Sequence, residues 1–423
     1  MKIVMLNTSD RKGGAAVAAY RLREALATNG VEVTMIVRDK TTEDPDIVSI
    51  GTGWRRRQIN RFRFLWERLM IFCRNGFTRK DLFAVSIADT GTDVSRLPAV
   101  READIIHLHW INQGFLSLKD IRKLLALGKP VVWTLHDMWP VTGICHHAWE
   151  CEKYKETCGA CPFLHSTKRR DLSTRVQRKK AEVYHSGLHL VPVSEWLAGK
   201  CRESALGRAL PVTRIPNSID TELFSPGDRS EAREKLGLPS DKKILLMGAA
   251  RIDDPVKGFP LLKEILTVLP PEIQKEGLLV LFGELKEVRL QDEGLALPFL
   301  HLGTVSDPGI LADLYRAADA TLSTSHYETF GQTLSEALSC GCPVVSFDNG
   351  GQKDIVDHRE NGYLARYADV RDFARGIEWI LCHPKPAALA GNARKKVLDT
   401  FAVEKVAAQY IRLYESLSPL GSK

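Results

Sequence analysis

The chain has 423 residues, too many for one ordinary hydrophobic core, so two domains are the default expectation. Its 44% hydrophobic and 26% charged residues are typical of a soluble globular protein, and no apolar run reaches the ~20 residues that a transmembrane helix requires. The net charge of +7 is concentrated in two segments, 54–74 and 168–180, each with seven basic residues and one acidic residue. This uneven distribution argues against a globally basic nucleic-acid-binding protein, so no nucleic-acid partner is expected.

The N-terminal half alternates between predicted strands and helices. The first strand turns polar at Asn7, so we interpret the start of the chain as a buried strand rather than a signal peptide and expect a cytoplasmic protein. A helix is predicted at 15–28, and strands are predicted at 2–6, 31–37, 105–108, 131–135 and 188–193. This alternation is typical of a doubly wound parallel sheet.

A second α/β series begins near Lys243. Strands are predicted at 243–247, 278–282, 320–323 and 344–347, and helices at 258–269, 308–317, 332–339, 370–381 and 403–417. The segment 205–216 is interpreted as the crossover between two α/β domains.

Two glutamates separated by seven residues, Glu328 and Glu336, form the most informative pair in the chain. The spacing of apolar residues predicts that Glu328 lies in a loop ahead of a helix N-terminus and that Glu336 lies on that helix. Backbone N–H groups at such a terminus favour a phosphate, and ionised carboxylates accept hydrogen bonds from sugar hydroxyls. The alternative is a pair of ordinary surface glutamates, which the flanking Phe-Gly and Gly-x-Pro-Val-Val sequences disfavour.

With these flanks, the segment 326–346 resembles the Glu-x7-Glu motif of retaining glycosyltransferases of family 4, which have the GT-B fold. The resemblance implies that Glu328 contacts the donor sugar and that Glu336 binds the nucleotide ribose. Further donor contacts are implied at the start of the helix, by Phe330, Gly331 and Gln332. The implied fold class is α/β: GT-B, with two Rossmann-like doubly wound domains facing a central cleft.

The resemblance also sets the expected domain organisation. Residues 1–204 would form an acceptor-side Rossmann-like domain, and residues 205–400 would form the nucleotide-sugar-binding Rossmann-like domain. Residues 401–423 would form a C-terminal helix that returns to the N-terminal domain.

Two cations near the end of a predicted strand resemble further elements of this family. Gly-Ala-Ala-Arg251 and Lys257-Gly match its Gly-x-x-Arg and Lys-Gly sequences. Together they can neutralise a diphosphate leaving group, Arg251 through bidentate contacts and Lys257 as a point charge. The alternative is ordinary pairing with Asp253 and Asp254. Base recognition is expected through the backbone near Gly303.

Two N-terminal residues are further candidates. Gly14 opens the first helix, and in this family the equivalent loop approaches the donor phosphate and the acceptor. His136 lies immediately beyond a parallel strand, where open α/β sheets bind ligands, and the resemblance implies that it positions and polarises the transferred sugar. The alternative for His136 is a structural histidine at a strand end. His107 and His109 share one face of a strand and are interpreted as packing residues.

Four cysteines within the range 145–161 have the spacing Cys-x5-Cys-x6-Cys-x2-Cys: Cys145, Cys151, Cys158 and Cys161. This spacing predicts a structural Zn²⁺ site, whereas no cofactor is expected for catalysis. Disulfides are the alternative, disfavoured because a cytoplasm is reducing. The Trp-Thr-Leu-His-Asp sequence followed by this cluster resembles exopolysaccharide transferases of the colanic acid biosynthesis type. The remaining five cysteines are expected to be buried.

The segment 54–74 carries aromatic residues at helical spacing among seven arginines. Such a basic amphipathic helix suits an anionic membrane surface, so a peripheral location on the inner face of the plasma membrane is one interpretation. The alternative is a core-packed helix with solvated arginines. An Asp-x-Asp sequence at 44–46 is discounted as a metal motif.

These features predict an enzyme that transfers a sugar, with retention, from a UDP- or GDP-sugar to a carbohydrate acceptor. The acceptor is expected to be polyprenyl-linked, in surface polysaccharide biosynthesis. Alternatives are another nucleotide-sugar enzyme of the same fold, such as an epimerase, and a non-catalytic membrane-associated scaffold.

Overall fold

A computed structural model describes residues 1–184 and 187–418. The chain folds into two compact units: Met1–Pro216 together with the segment from Val406 onward, and Asn217–Lys405. The first unit therefore ends at Pro216 rather than at residue 204. The segment 205–216 belongs to it because Leu190 N donates a backbone hydrogen bond to the Pro211 carbonyl and the Leu190 carbonyl accepts one from Thr213 N.

The first unit is built on a parallel sheet with helices between its strands. The strands are β1 (Lys2–Ser9), β2 (Glu32–Asp39), β3 (Ile47–Ser49), β4 (Ile105–Leu108), β5 (Val131–Leu135) and β6 (Leu188–Pro192). The helices are α1 (Gly14–Thr28), α2 (Trp54–Phe72), α3 (Pro98–Glu102), α4 (Leu118–Leu125), α5 (Leu172–Val183) and α6 (Glu195–Glu203). The strand order is β3-β2-β1-β4-β5-β6, the order of a Rossmann sheet.

The second unit repeats this topology. Its helices are α7 (Arg229–Leu236), α8 (Phe259–Thr267), α9 (Pro271–Glu276), α10 (Pro308–Ala317), α11 (Gln332–Ser339), α12 (Gln352–Ile355), α13 (Val370–Leu381) and α14 (Pro386–Thr400). Its strands are β7 (Lys243–Arg251), β8 (Gly277–Glu284), β9 (Phe299–His301), β10 (Ala320–Ser323), β11 (Val344–Phe347) and β12 (Gly362–Ala365). The order β12-β11-β10-β7-β8-β9 is again that of a Rossmann sheet, which confirms the predicted fold class of two Rossmann-like units.

The last helix, α15 (Val403–Leu417), begins in the second unit and continues into the first. Tyr410 and Tyr414 are buried in the same core cluster as Ile3 and Val132 of the first sheet. Burying two aromatic side chains contributes several kcal/mol, so α15 is an integral part of the first unit.

Helix α2 packs with its polar side inward. Glu67 and Arg68 are buried, and the Glu67 carboxylate accepts hydrogen bonds from the backbone N–H groups of Ile87 and Ala88 at 2.8 and 3.1 Å. Most side chains of the predicted apolar stripe face solvent instead: Trp54 is 73% exposed, Phe62 65% and Leu69 51%, whereas Ile71 is buried. The core-packed interpretation of segment 54–74 is therefore wrong for this stripe, although the helix does pack against the protein through Glu67, Arg68 and Ile71.

Two smaller expectations are also settled. Cys73 and Cys382 are exposed, because they lie at the C-terminal ends of α2 and α13, whereas Cys201, Cys340 and Cys342 are buried as expected. Within the described ranges, no helix has both the length and the apolar character needed to cross a membrane.

Candidate active site

The predicted Glu328–Glu336 segment has the expected local structure. Glu328 lies in the loop between β10 and α11, and Glu336 lies on α11, whose bounds are those predicted. Gly331 precedes the helix with φ 111°, a conformation that glycine adopts without steric cost. The N–H groups at the start of α11 therefore lie next to the loop that carries the Glu328 carboxylate.

Glu328 is held by both its side chain and its backbone. Lys257 Nζ donates a hydrogen bond to Glu328 Oε1 at 2.6 Å, and Ser325 Oγ donates to the same oxygen at 2.9 Å. The Glu328 carbonyl accepts from Gly351 N at 2.8 Å. A Cβ at Gly350 would lie 2.6 Å from that carbonyl, so only glycine permits this approach.

Lys257 is placed by a turn that fits against the end of β10. It ends a short 3₁₀ turn, and its carbonyl accepts a hydrogen bond from Thr324 Oγ1 at 2.9 Å. Gly258 follows with φ 66°, where a Cβ would lie 2.1 Å from the Thr324 carbonyl oxygen. The Lys-Gly sequence is thus required to bring the ammonium to the β10 loop.

Arg251, at the end of β7, is paired with acidic residues. Its Nε donates to Asp253 Oδ1 and its Nη2 donates to Glu287 Oε1, both at 2.7 Å. Burial opposes ionisation of Asp253, but hydrogen bonds from the Glu287 backbone and the Arg251 side chain prevail and lower its pKa to about 2. The alternative interpretation, ordinary pairing of Arg251 with Asp253 and Asp254, is correct in part. Asp253 pairs with Arg251, whereas Asp254 caps the 3₁₀ turn. The structure brings Lys257, but not Arg251, into contact with Glu328.

Glu336 is a buried carboxylate, 4% exposed, whose Oε2 accepts a hydrogen bond from Tyr315 OH at 2.9 Å. Tyr315 lies on α10 and was not singled out from the sequence, because no local pattern connects it to α11. The ring of Phe330 is buried and packs edge-on against Phe401, with centroids 5.4 Å apart, which leaves its backbone as the part that can face a ligand.

The last donor-side candidates in the second unit are backbone positions. Gly303 follows β9 with φ 67°, and its carbonyl accepts from Gly283 N at 2.7 Å, at the end of the neighbouring strand β8. Gln332 is the first residue of α11. Both lie at the carboxyl edge of the second sheet, where open α/β sheets bind ligands.

In the first unit, His136 directly follows β5 and forms a hydrogen bond with His109, which directly follows β4. His136 Nε2 and His109 Nδ1 are 3.0 Å apart. The ring of His107 packs next, tilted by 35° and with its centroid 4.2 Å from that of His109. His109 is therefore more than a packing residue, because it orients the His136 ring.

Helix α15 completes this histidine group. Tyr414 OH lies 2.7 Å from His107 Nδ1, and Thr134 Oγ1 lies 2.8 Å both from His107 Nε2 and from Tyr410 OH. A hydrogen-bonded chain therefore runs from the C-terminal helix to the end of β5. Its members are buried, which fixes the ring orientations.

Burial sets the protonation of these rings. It lowers the pKa of His107 to about 3 and that of His136 to about 4, and it holds the pKa of His109 well below the ordinary value. All three rings are neutral at pH 7, so His136 can position and polarise a bound group but is a weak base.

Asp137 anchors the segment after His136. Its Oδ2 lies 2.7 Å from His146 Nδ1 and accepts from Trp110 Nε1 at 2.9 Å. Burial opposes ionisation, but the interactions with His146 prevail and lower the pKa of Asp137 to about 2. His146 also lies 3.0 Å from Ser86 Oγ, so both its ring nitrogens are engaged away from the cysteines.

Gly14 is the first residue of α1, preceded by Gly13 with φ 90°. Because β1, β4 and β5 are parallel neighbours, Gly14, His109 and His136 all lie at the carboxyl edge of the first sheet. The Asp-x-Asp sequence is not part of this group, because Arg23 pairs with Asp44 at 2.6 Å and with Asp46 at 2.8 Å.

Comparison with known proteins identifies the family. The model of Glycosyltransferase Family 4 matches residues 12–223, half of the chain, and that of the Glycosyl transferases group 1 matches residues 228–396. This chain belongs to glycosyltransferase family 4. A curated relative, the D-inositol 3-phosphate glycosyltransferase of Actinosynnema mirum, is 27% identical over 397 residues, which cover 90% of this chain and 87% of the relative.

Solved structures match this glycosyltransferase over its whole length. Alr3699/HepE of Anabaena, in complex with UDP and glucose, is 19% identical with a TM-score of 0.67 over 99% of this chain and 100% of that one. Sucrose-phosphate synthase of Thermosynechococcus elongatus is 22% identical with a TM-score of 0.66 over 99% of both chains. These likenesses show that the fold is GT-B. The protein is thus a glycosyltransferase that uses a nucleotide-sugar donor.

Proposed function

We propose that this glycosyltransferase transfers a sugar, with retention of anomeric configuration, from a UDP- or GDP-sugar to a lipid-linked saccharide at an anionic membrane surface. Its biological role would be the synthesis of a surface polysaccharide, as in the colanic acid type of transferase that its sequence resembles. The proposed binding of the nucleotide-sugar rests on one observation, the contact of Lys257 with Glu328 beside the N-terminus of α11.

The charge of each side chain indicates which part of the donor it would bind. The ammonium of Lys257 and the guanidinium of Arg251 suit the diphosphate, together with the N–H groups of Gly331 and Gln332 at the start of α11. The carboxylate of Glu328 suits the sugar hydroxyls, and the Glu336 carboxylate suits the ribose hydroxyls.

Retention would follow from attack on the same face that the leaving group departs from. The acceptor oxygen forms a bond to the anomeric carbon while the bond from that carbon to the phosphate oxygen breaks, and the departing nucleoside diphosphate takes the acceptor proton. This step requires no protein base. The lowered pKa of His136, about 4, supports it because this imidazole is poorly suited to remove a hydroxyl proton.

The proposal of a lipid-linked acceptor at a membrane surface rests on helix α2. Its exposed aromatic side chains, among them Trp54 and Phe62, form an apolar surface bordered by the exposed arginines Arg55, Arg56 and Arg57. Aromatic rings insert at the headgroup level, and each arginine near an anionic surface contributes about 1 kcal/mol to binding. A protein placed in this way would meet an acceptor that is itself held in the membrane.

Product analysis tests the proposal directly. Purified protein is supplied with a panel of UDP- and GDP-sugars and with either a polyprenyl-diphosphate saccharide or D-inositol 3-phosphate, and the product anomer is determined by NMR. Transfer to the lipid-linked saccharide with retention is the expected result.

Other outcomes of this assay are equally informative. Transfer to the inositol phosphate alone would give this protein the acceptor named for its curated relatives and contradict the lipid-linked proposal. An inverted product would contradict retention. The absence of both transfer and donor hydrolysis with every donor would favour a non-catalytic scaffold.

A further inference from the structure

Four cysteines of the first unit line one cavity, within the loop that connects β5 to α5. Three of them are buried, Cys145, Cys158 and Cys161, and Cys151 is partly buried. The rest of the wall includes apolar side chains, among them Ile144 and Phe163. None of the four forms a disulfide, so their sulfur atoms have no covalent partner at this cavity.

The thiols are not arranged as a finished coordination shell. Within residues 1–184 and 187–418, no group of three or more His, Cys, Asp or Glu side chains is drawn together to hold a metal ion. The neighbouring His146 is engaged by Asp137 and Ser86, which leaves the four sulfurs as the ligand set at this cavity. A bound ion would therefore have to draw them inward.

One backbone segment nevertheless packs directly against a sulfur atom of the cluster. A Cβ at Gly143 would lie 3.0 Å from the Cys158 sulfur, so this backbone packs closely onto it. Close packing of this kind can hold a sulfur ligand in place, which is a regular function of the groups around a metal site.

Helix α5 fixes the backbone of two of these cysteines. Cys161 N donates to Asp171 Oδ2 at 2.8 Å, and Cys158 N donates to Gln177 Oε1 at 2.7 Å. Thr174 Oγ1 donates to the Cys158 carbonyl at 2.7 Å. The loop that carries the cysteines is thus aligned on one helix.

A buried cation lies beside the cluster. Lys180 of α5 is fully buried, and its Nζ donates to the carbonyls of Trp139 and Thr142. No ion pair joins it to a carboxylate in the described part of the chain, its Nζ lies 3.4 Å from the centre of the Trp139 ring, and burial lowers its pKa to about 7. A buried charge is costly unless it is compensated, and thiolates at the cluster would provide the compensation.

We propose that the four cysteines bind one structural Zn²⁺ ion as thiolates and that the Lys180 ammonium compensates the charge of this complex. Four thiols release four protons to solvent on binding, and the resulting centre carries two net negative charges. No redox change is involved. The ion would tie the loop 145–161 to α5 and would so support the segment that begins at His136.

The metal content and the thiol count together test this site. Protein purified without added metal should contain about one zinc per chain, and after denaturation with a chelator it should give nine reactive thiols, the full number in the sequence. Cys158→Ser should lower the zinc content at least tenfold, whereas Cys382→Ser, which removes an exposed thiol elsewhere, should leave it unchanged. Substitution with Co²⁺ should produce the intense thiolate-to-cobalt absorption of a tetrahedral site.

Each opposite result would overturn the proposal. Nine thiols without zinc would mean a reduced cluster that binds no metal, and five thiols would mean two disulfides. The role of Lys180 is tested by Lys180→Met against Lys179→Met, which removes an exposed charge one position away. We expect about tenfold weaker zinc retention in a competition with a chelator for Lys180→Met only, and equal retention in the two variants would contradict charge compensation.

Discussion

Lys257 Nζ lies 2.6 Å from Glu328 Oε1, so the cation proposed for the donor diphosphate is paired with the carboxylate proposed for the donor sugar. Both side chains are partly exposed, at 28% and 17%. Each therefore neutralises the other, and neither is left as an uncompensated charge. A bound nucleotide-sugar would offer the ammonium a phosphate and the carboxylate a set of hydroxyl groups.

Replacing Lys257 by alanine should weaken the binding of the nucleoside diphosphate by about 1.5–3 kcal/mol, the range for a hydrogen bond to a charged group. Titration calorimetry with UDP and GDP measures the loss. Lys275→Ala, which removes an exposed lysine from α9, serves as the control. Equal affinities in Lys257→Ala and the parent protein would show that this cation does not contact the diphosphate.

The two glutamates should separate transfer from nucleotide binding. Glu328→Gln should reduce the transfer rate by about 10²–10³, because an interaction with the reacting sugar is lost, while nucleoside diphosphate affinity stays within a few fold. Glu336→Gln should instead weaken the nucleotide, because its proposed partner is the ribose. Measurement of kcat and of nucleotide affinity for both variants decides the assignment, and the reverse pattern would exchange the two roles.

The local structure of this site could be predicted from the sequence, whereas its contacts could not. The bounds of α11 follow from apolar spacing and from the glycines at either end, which are properties of a short segment. The contact of Lys257 with Glu328 joins residues 71 positions apart, and that of His109 with His136 joins residues 27 apart. Such pairs depend on the strand order, which periodicity does not encode.

The orientation of helix α2 is a second feature that could not be predicted from the sequence. Its periodicity predicts an apolar stripe but not which stripe faces the protein. The outcome depends on the loop at 85–88, whose backbone N–H groups require an acceptor that Glu67 supplies. A tertiary hydrogen bond therefore decides the orientation of the helix.

Tyr315 was found only in the structure, and its hydrogen bond to Glu336 makes a separate prediction. Tyr315→Phe keeps the ring but removes a donor from a buried carboxylate, which should cost about 1–3 kcal/mol of stability and weaken nucleotide binding. Urea unfolding and calorimetry measure the two effects. An unchanged nucleotide affinity, with stability lowered, would restrict Tyr315 to a structural role.

The buried histidines predict a loss of stability in mild acid. Because the pKa of His136 is lowered to about 4 and that of His107 to about 3, the unfolded chain binds more protons than the folded one below pH ~6.5. The free energy of unfolding should therefore fall as the pH decreases from ~6.5 towards 4, by up to about 1.4 kcal/mol per pH unit for each ring.

Urea titrations at a series of pH values measure this dependence. Asp137 and Asp253 do not obscure this dependence. Because their pKa values in the folded protein are about 2, they change the free energy of unfolding mainly below pH ~4. His107→Gln removes one ring and should make the dependence shallower. The same slope in this variant and in the parent would mean that His107 is not protonated on unfolding in this range.

The last prediction concerns the exposed face of α2. If it adsorbs to a membrane, the protein should co-sediment with anionic vesicles, less so as the salt concentration rises, and only weakly with neutral vesicles. Replacing Arg55, Arg56 and Arg57 by glutamine should cost about 3 kcal/mol of adsorption, or about a hundredfold in affinity. The matched control replaces Lys168, Arg169 and Arg170 in the same way. These residues are also exposed, and their replacement removes the same charge from the other basic segment. This control should bind vesicles like the parent if the exposed aromatic side chains of α2 direct adsorption. Equal loss in both triple variants would mean that net charge, rather than α2, directs adsorption, and salt-insensitive sedimentation would contradict an electrostatic contribution altogether.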